Sequence, residues 1–144
     1  MKTLLAVALV LAGLIGGCWI WLDRWLGPRT IDVPPASSGI VSGDGSGEQP
    51  LTAEQLAGIS NWLASDRSGW TAQVVTAPGP AIVIKLRHTD NTATALDIYR
   101  DPPSLPGWNG TIALRQYSDP RHPHGGLQKF SADDFQPLLK LIGR

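Results

Sequence analysis

Apolar and polar positions divide the chain into three parts. From Leu4 to Leu22 there is no charged or strongly polar side chain. At a helical rise of about 1.5 Å per residue this run is roughly 28 Å long, close to the hydrocarbon thickness of a bilayer. From Gly27 to Pro50 no apolar period survives, and Gly, Pro and Ser supply more than half of the residues. From Leu51 onward apolar positions recur first at helical and then at strand spacing. The pattern predicts an anchor over 1–26, a flexible linker over 27–50 and one small domain over 51–144.

Within the domain, Thr52 and Gln55 form a capping box, with Leu51 and Leu56 at the staple positions either side. Leu56, Ile59 and Leu63 then repeat at helical spacing, widened by Trp62, which predicts a helix over 53–65. After Gly69 the period becomes two. Trp70, Ala72 and Val74 alternate with Thr71 and Gln73, and Pro78-Gly79-Pro80 turns the chain. Ile82, Ile84 and Leu86 alternate with Val83, Lys85 and Arg87; Thr89-Asp90-Asn91 makes a hairpin; Thr94, Leu96 and Ile98 carry the next strand. Three prolines make 101–109 a loop, and after the turn at Asn109-Gly110 a fourth strand follows with Ile112 and Leu114. Residues 119–126 read as a second loop. Ser131 and Asp134 form another capping box, and Pro137 divides the segment into a first turn at 131–134 and a helix proper near 135–142. The expected fold is α+β: a helix, a four-stranded antiparallel sheet and a C-terminal helix, with the helices on one face of the sheet.

Composition narrows the function. The chain has 144 residues and zero formal net charge, so nothing in its charge favours nucleic acid. Cys18 is the only cysteine, which excludes an internal disulfide and a cysteine-based metal centre in the domain.

The leader supports two kinds of anchor. Met1-Lys2 and the apolar stretch Leu4–Leu14 begin as an export signal does. Ile15-Gly16-Gly17-Cys18 resembles the lipobox of bacterial lipoproteins, in which an aliphatic residue stands three before a cysteine with small residues between. That resemblance implies cleavage before Cys18 and a lipid on its thiol. Trp19-Ile20-Trp21-Leu22 instead continues the apolar run, and with Trp25, Asp23 and Arg24 it forms an aromatic belt with a charged stop, the pattern of an uncleaved spanning helix. The spanning helix is the preferred expectation. Either anchor retains the domain at a cell membrane through residues 4–22, and the short n-region places it in the periplasm or outside the cell. A flexible linker of this length reaches on the order of 25–30 Å. Its Gly43, Gly45 and Gly47 fail the phosphate-loop spacing.

Candidate chemistry is sparse. His122 and His124 alternate in Asp119–Gly126, and an extended backbone aims both to one side, where Asp119 or the distant His88 would complete a site for zinc or copper. A solvated His-Pro-His turn explains the same residues and is preferred. No GxSxG elbow exists and the cysteine lies in the anchor, so no covalent nucleophile is visible. Asp97 is expected to pair with Lys85 or Arg87 on the polar sheet face rather than with His88 as an acid–base couple. Trp62 and Trp70 read as core. Trp108, in a proline-rich loop, serves as a plug or as a binding anchor ringed by Arg100, Tyr117 and Arg121. The expectation is a membrane-tethered, non-catalytic module that binds another envelope protein, as an accessory subunit or as an inhibitor or immunity protein for a toxin or hydrolase. The alternative is a metal-binding or hydrolytic domain using loop 119–126.

Overall fold

The computed structural model describes residues 2–43, 45–65, 68–73, 75–100, 107–117 and 124–144, with the side chains of 2–10, 25 and 124 outside the description. Helix α1 (Lys2–Leu26) is followed by β1 (Ala36–Gly43), β2 (Ser46–Pro50), α2 (Ala53–Ser65), β3 (Ile82–His88), β4 (Ala93–Tyr99), β5 (Thr111–Tyr117), β6 (His124–Lys129) and α3 (Ala132–Leu141). The fold is α+β. The strands make one antiparallel sheet in the order β2-β1-β3-β4-β5-β6.

Six strands replace the expected four, and the two additional N-terminal ones come from the supposed linker. β1 pairs with β3 from Ala36↔His88 to Gly43↔Ile82, and folds back on β2. Before it, Arg29 bridges Trp70 and Ile31 is buried. The segment 27–50 is therefore part of the domain. Its apolar residues are too few to show a period, yet backbone hydrogen bonds to β3 need none.

Two other expectations change. The strand expected at 70–74 reduces to single bridges, Trp70 to Arg29 and Thr71 to Leu127, with residue 74 outside the described residues. The expected loop 119–126 ends earlier, because His124 already pairs with Gln116 and Gly125 with Arg115. A Cβ on Gly125 would collide with the Leu114 carbonyl, so glycine here admits the neighbouring backbone rather than breaking the strand.

Both capping boxes form. Thr52 N–H donates to Gln55 Oε1 at 2.9 Å and Gln55 N–H to Thr52 Oγ1 at 3.2 Å. Ser131 Oγ accepts from Asp134 N–H at 3.2 Å and starts α3 at Ala132, so the expected first turn and helix proper are one continuous helix. Pro137 is tolerated inside it because burial of Phe135, Leu138 and Leu139 holds the short helix to the core.

α2 and α3 pack together on one face of the sheet, where alternate residues Ile82, Ile84, Leu86, Leu96, Ile98, Ile112 and Leu114 form the core floor. Trp62 Nε1 donates to the Asp134 carbonyl at 2.8 Å and joins the helices. Its ring lies 4.9 Å from Phe130, which in turn meets Trp70 edge-on at 5.7 Å. Trp62 and Trp70 are core, as expected.

α1 packs against no other element among the described residues. Among those residues no helix is long and apolar enough to cross a membrane. The fold thus gives one continuous helix, Lys2–Leu26, over the expected anchor.

Candidate functional site

Among the described residues the other face of the sheet carries no helix, and its polar residues follow from strand alternation. On β4 it presents Ala93, Ala95, Asp97 and Tyr99; opposite them on β5 stand Tyr117, Arg115, Ala113 and Thr111. Of the three alanines, Ala95 and Ala113 are buried. Arg115 reaches diagonally to Asp97, with Nη2 donating to Oδ2 at 2.5 Å. The expected partners Lys85 and Arg87 do not take that place: Lys85 pairs with Glu48 at 2.9 Å, a residue of the new strand β2.

Asp97 is the unusual member of this face. Its side chain is 7% exposed, while that of Arg115 is 45% exposed. Its Oδ1 is buried and has no hydrogen-bond partner among the described residues. Burial disfavours the Arg115 cation, but the hydrogen bond and charge of Asp97 more than reverse this, and its pKa lies above the ordinary value. Burial, then the charge of Asp97, raises the pKa of the Tyr99 phenol.

Tyr99 meets Trp108 edge-on, ring centroids 5.0 Å apart. The Trp108 carbonyl accepts from Thr111 N–H at 2.9 Å, and Lys129 Nζ donates to the Gly107 carbonyl at 3.0 Å, fixing the loop's end over this face. Trp108 is half-buried: neither a sealed plug nor a fully free anchor. Tyr117, at the far end of β5, shares the face, about 20 Å away along a strand rising about 3.4 Å per residue. Arg100 follows the end of β4 and is half-buried. Arg121 lies outside the described residues. Among the described residues, Trp108 and Tyr117 thus stand toward opposite ends of the face. Tyr99 and Arg115, which the sequence pattern does not single out, carry one signal, the strand parity they share with Asp97.

The metal hypothesis meets the structure only at His88. That ring is 2% exposed and lies on the helix side of the sheet, opposite Asp97. Its Nδ1 lies 3.3 Å from the Pro35 carbonyl and its Nε2 lies 2.8 Å from Thr94 Oγ1. A carbonyl only accepts, so Nδ1 carries the proton and Nε2 accepts from Thr94. Both nitrogens are engaged by the protein. Asp119, His122 and the side chain of His124 lie outside the described residues, among which no cluster of three or more His, Cys, Asp or Glu forms. Cys18 is exposed on α1. A groove of about 500 Å³ runs between residues 33–37 and α2, lined by Val33, Pro35, Leu56, Ser60 and Asn61 and lacking a titratable group.

Comparison with protein-family models, curated proteins and solved structures finds no match.

Proposed function

We propose that the protein is a membrane-tethered, non-catalytic binding module of the bacterial envelope, holding another protein on the helix-free face of its sheet. The observation that carries this reading is the Tyr99–Trp108 aromatic pair on the same face as the buried Asp97–Arg115 pair. A half-buried aromatic beside an accessible arginine held by a buried acid offers the two residue types that concentrate binding energy in protein interfaces. The face carries Lys85, Arg87, Arg115 and Lys129 against Glu48 and Asp97, so it favours a partner with an acidic surface.

Retention at the membrane is supported by α1. Leu14, Ile15, Trp19, Ile20 and Trp21 are each more than half exposed, and no element of the domain covers them. A bilayer is the environment that such a surface suits, whether entered by a spanning helix or supplemented by a lipid on Cys18. The domain then lies in the periplasm or outside the cell. Accessory subunits of envelope assemblies and inhibitors or immunity proteins against a toxin or hydrolase fit this description.

The test is photo-crosslinking in native membranes from a probe beside Trp108. One stoichiometric partner is expected, lost in Trp108→Ala and retained in Lys140→Ala, which alters the helix side. A partner captured equally by both variants overturns the assignment of the face.

A further inference from the structure

The junction between α1 and the domain is short. α1 ends at Leu26, and Gly27 N–H donates back to the Asp23 carbonyl at 2.7 Å. A Cβ on Gly27 would collide with that carbonyl, so glycine is required to close the helix, and Pro28 prevents its continuation. Arg29 is already in the domain: its N–H donates to the Trp70 carbonyl at 2.6 Å and its carbonyl accepts from Trp70 N–H at 3.2 Å. Only Gly27 and Pro28 lie between. At about 3.3–3.6 Å per residue, Arg29 is within about 11 Å of the end of the helix. A tether of 24 residues does not exist here.

The domain is therefore attached by a particular edge. Trp70, beside Arg29, continues into Thr71, whose N–H donates to the Leu127 carbonyl of β6 at 3.0 Å while Leu127 N–H returns a bond of 2.8 Å. β6 is thus the strand next to the junction. β2, at the other end of the sheet, is five strand spacings away, about 24 Å at about 4.8 Å each.

A second observation points to the same edge. Among the described residues, the exposed large apolar side chains all lie on α1 except Val75, which is 51% exposed. Val75 stands four residues beyond Thr71, in the irregular segment leading away from the junction. Exposed Thr71 and Gln73 flank it, giving a small apolar tip among uncharged polar groups.

We infer that the domain docks on the lipid headgroups through its β6 edge, with Val75 entering the interface, instead of swinging on a flexible tether. This rests on the proposed membrane retention, taken in its uncleaved, unlipidated form through α1. It places the helix-free face roughly upright from the bilayer, turned toward partners beside the protein in the same membrane.

The full chain with Cys18→Ser, reconstituted into phosphatidylcholine–phosphatidylglycerol vesicles containing headgroup spin-labelled lipid, supplies the test. A fluorophore on Gln73→Cys should lose most of its emission, and one on Gly47→Cys, in β2, should lose little. Val75→Asp should relieve the quenching at position 73 with vesicle attachment retained. A Gly–Ser insert of about twenty residues after Pro28, reaching about 25 Å, should do the same. Protein that stays attached while positions 73 and 47 are quenched alike, or that ignores both changes, overturns the docked edge alone. Protein that does not attach to vesicles overturns the membrane reading and the docked edge together.

Discussion

Arg115 donates to Asp97 Oδ2 at 2.5 Å across a diagonal of β4 and β5, and the second oxygen of that buried carboxylate has no partner among the described residues. The pair is asymmetric: the acid is enclosed while the base is nearly half exposed. Asp97 therefore depends on Arg115 far more than Arg115 depends on Asp97.

Removing the base alone leaves a buried carboxylate uncompensated. Loss of one partner of a fully buried pair costs about 3–5 kcal/mol, and solvent screening of the exposed guanidinium reduces this to about 1–3 kcal/mol for Arg115→Ala. Asp97→Ala combined with Arg115→Ala should cost less than Arg115→Ala alone, because the stranded charge disappears with its partner. Urea denaturation of the four proteins in the cycle measures this. Strictly additive losses would show that the pair is not coupled.

Tyr99 gives a pH signature at the same place. Its phenol is held above the ordinary value first by burial and then by the negative charge of Asp97. The folded state thus binds that proton more tightly than the unfolded chain does. Stability from this group is complete below about pH 10 and is lost as pH rises from there through the folded-state pKa. Absorbance at alkaline pH should resolve one late-ionising tyrosine, and Tyr99→Phe should remove it. If the late component persists in that variant, the assignment is wrong.

Gly125 tests the strand that the sequence conceals. With the Leu114 carbonyl where a Cβ would stand, Gly125→Ala must push β6 away from β5. A loss of about 1–3 kcal/mol is expected, as for other overpacked sites. Amide exchange should accelerate at Gly126 and Gln128, whose N–H groups face β5, more than in β3. An unchanged exchange pattern would mean that β6 does not pair as described.

Local signals were legible and long-range ones were not. Thr52 with Gln55 and Ser131 with Asp134 announce their helices because a cap is made within four residues. β3 is equally plain, since Ile82, Ile84 and Leu86 all face one core. β1 conceals itself: Ile40 and Val41 are adjacent rather than alternating, and only Val41 is buried. What makes it a strand is the β3 backbone, distant in sequence. The same holds for Asp97. Lys85 and Arg87 were reasonable partners from hairpin spacing, but Glu48 takes Lys85 and Arg115 reaches over from the next strand. Trp108 was recognised as an aromatic of interest, whereas its contact Tyr99 required knowing which side of β4 the loop crosses.

The domain boundary offers the sharpest remaining test. A start at residue 51 is what the composition suggests, since Gly, Pro and Ser dominate the preceding segment. Physically, that cut removes β1 and β2, the buried side chains of Ile31 and Val41, the Arg29 bonds to Trp70, and the Pro35 carbonyl that engages His88. It also strips the hydrogen-bonding partner from one side of β3, exposing the edge of a strand rich in Ile, Val and Leu. Burying Ile31 and Val41 alone is worth about 1.5–3 kcal/mol each, against a typical total stability of about 5–15 kcal/mol. A chain covering 51–144 should therefore lack a cooperative thermal transition and aggregate, while one covering 27–144 should fold. Circular dichroism with heating, together with light scattering, distinguishes them. A cooperative, monomeric 51–144 would show that residues 27–50 are a linker after all, and would also remove the basis for a docked domain.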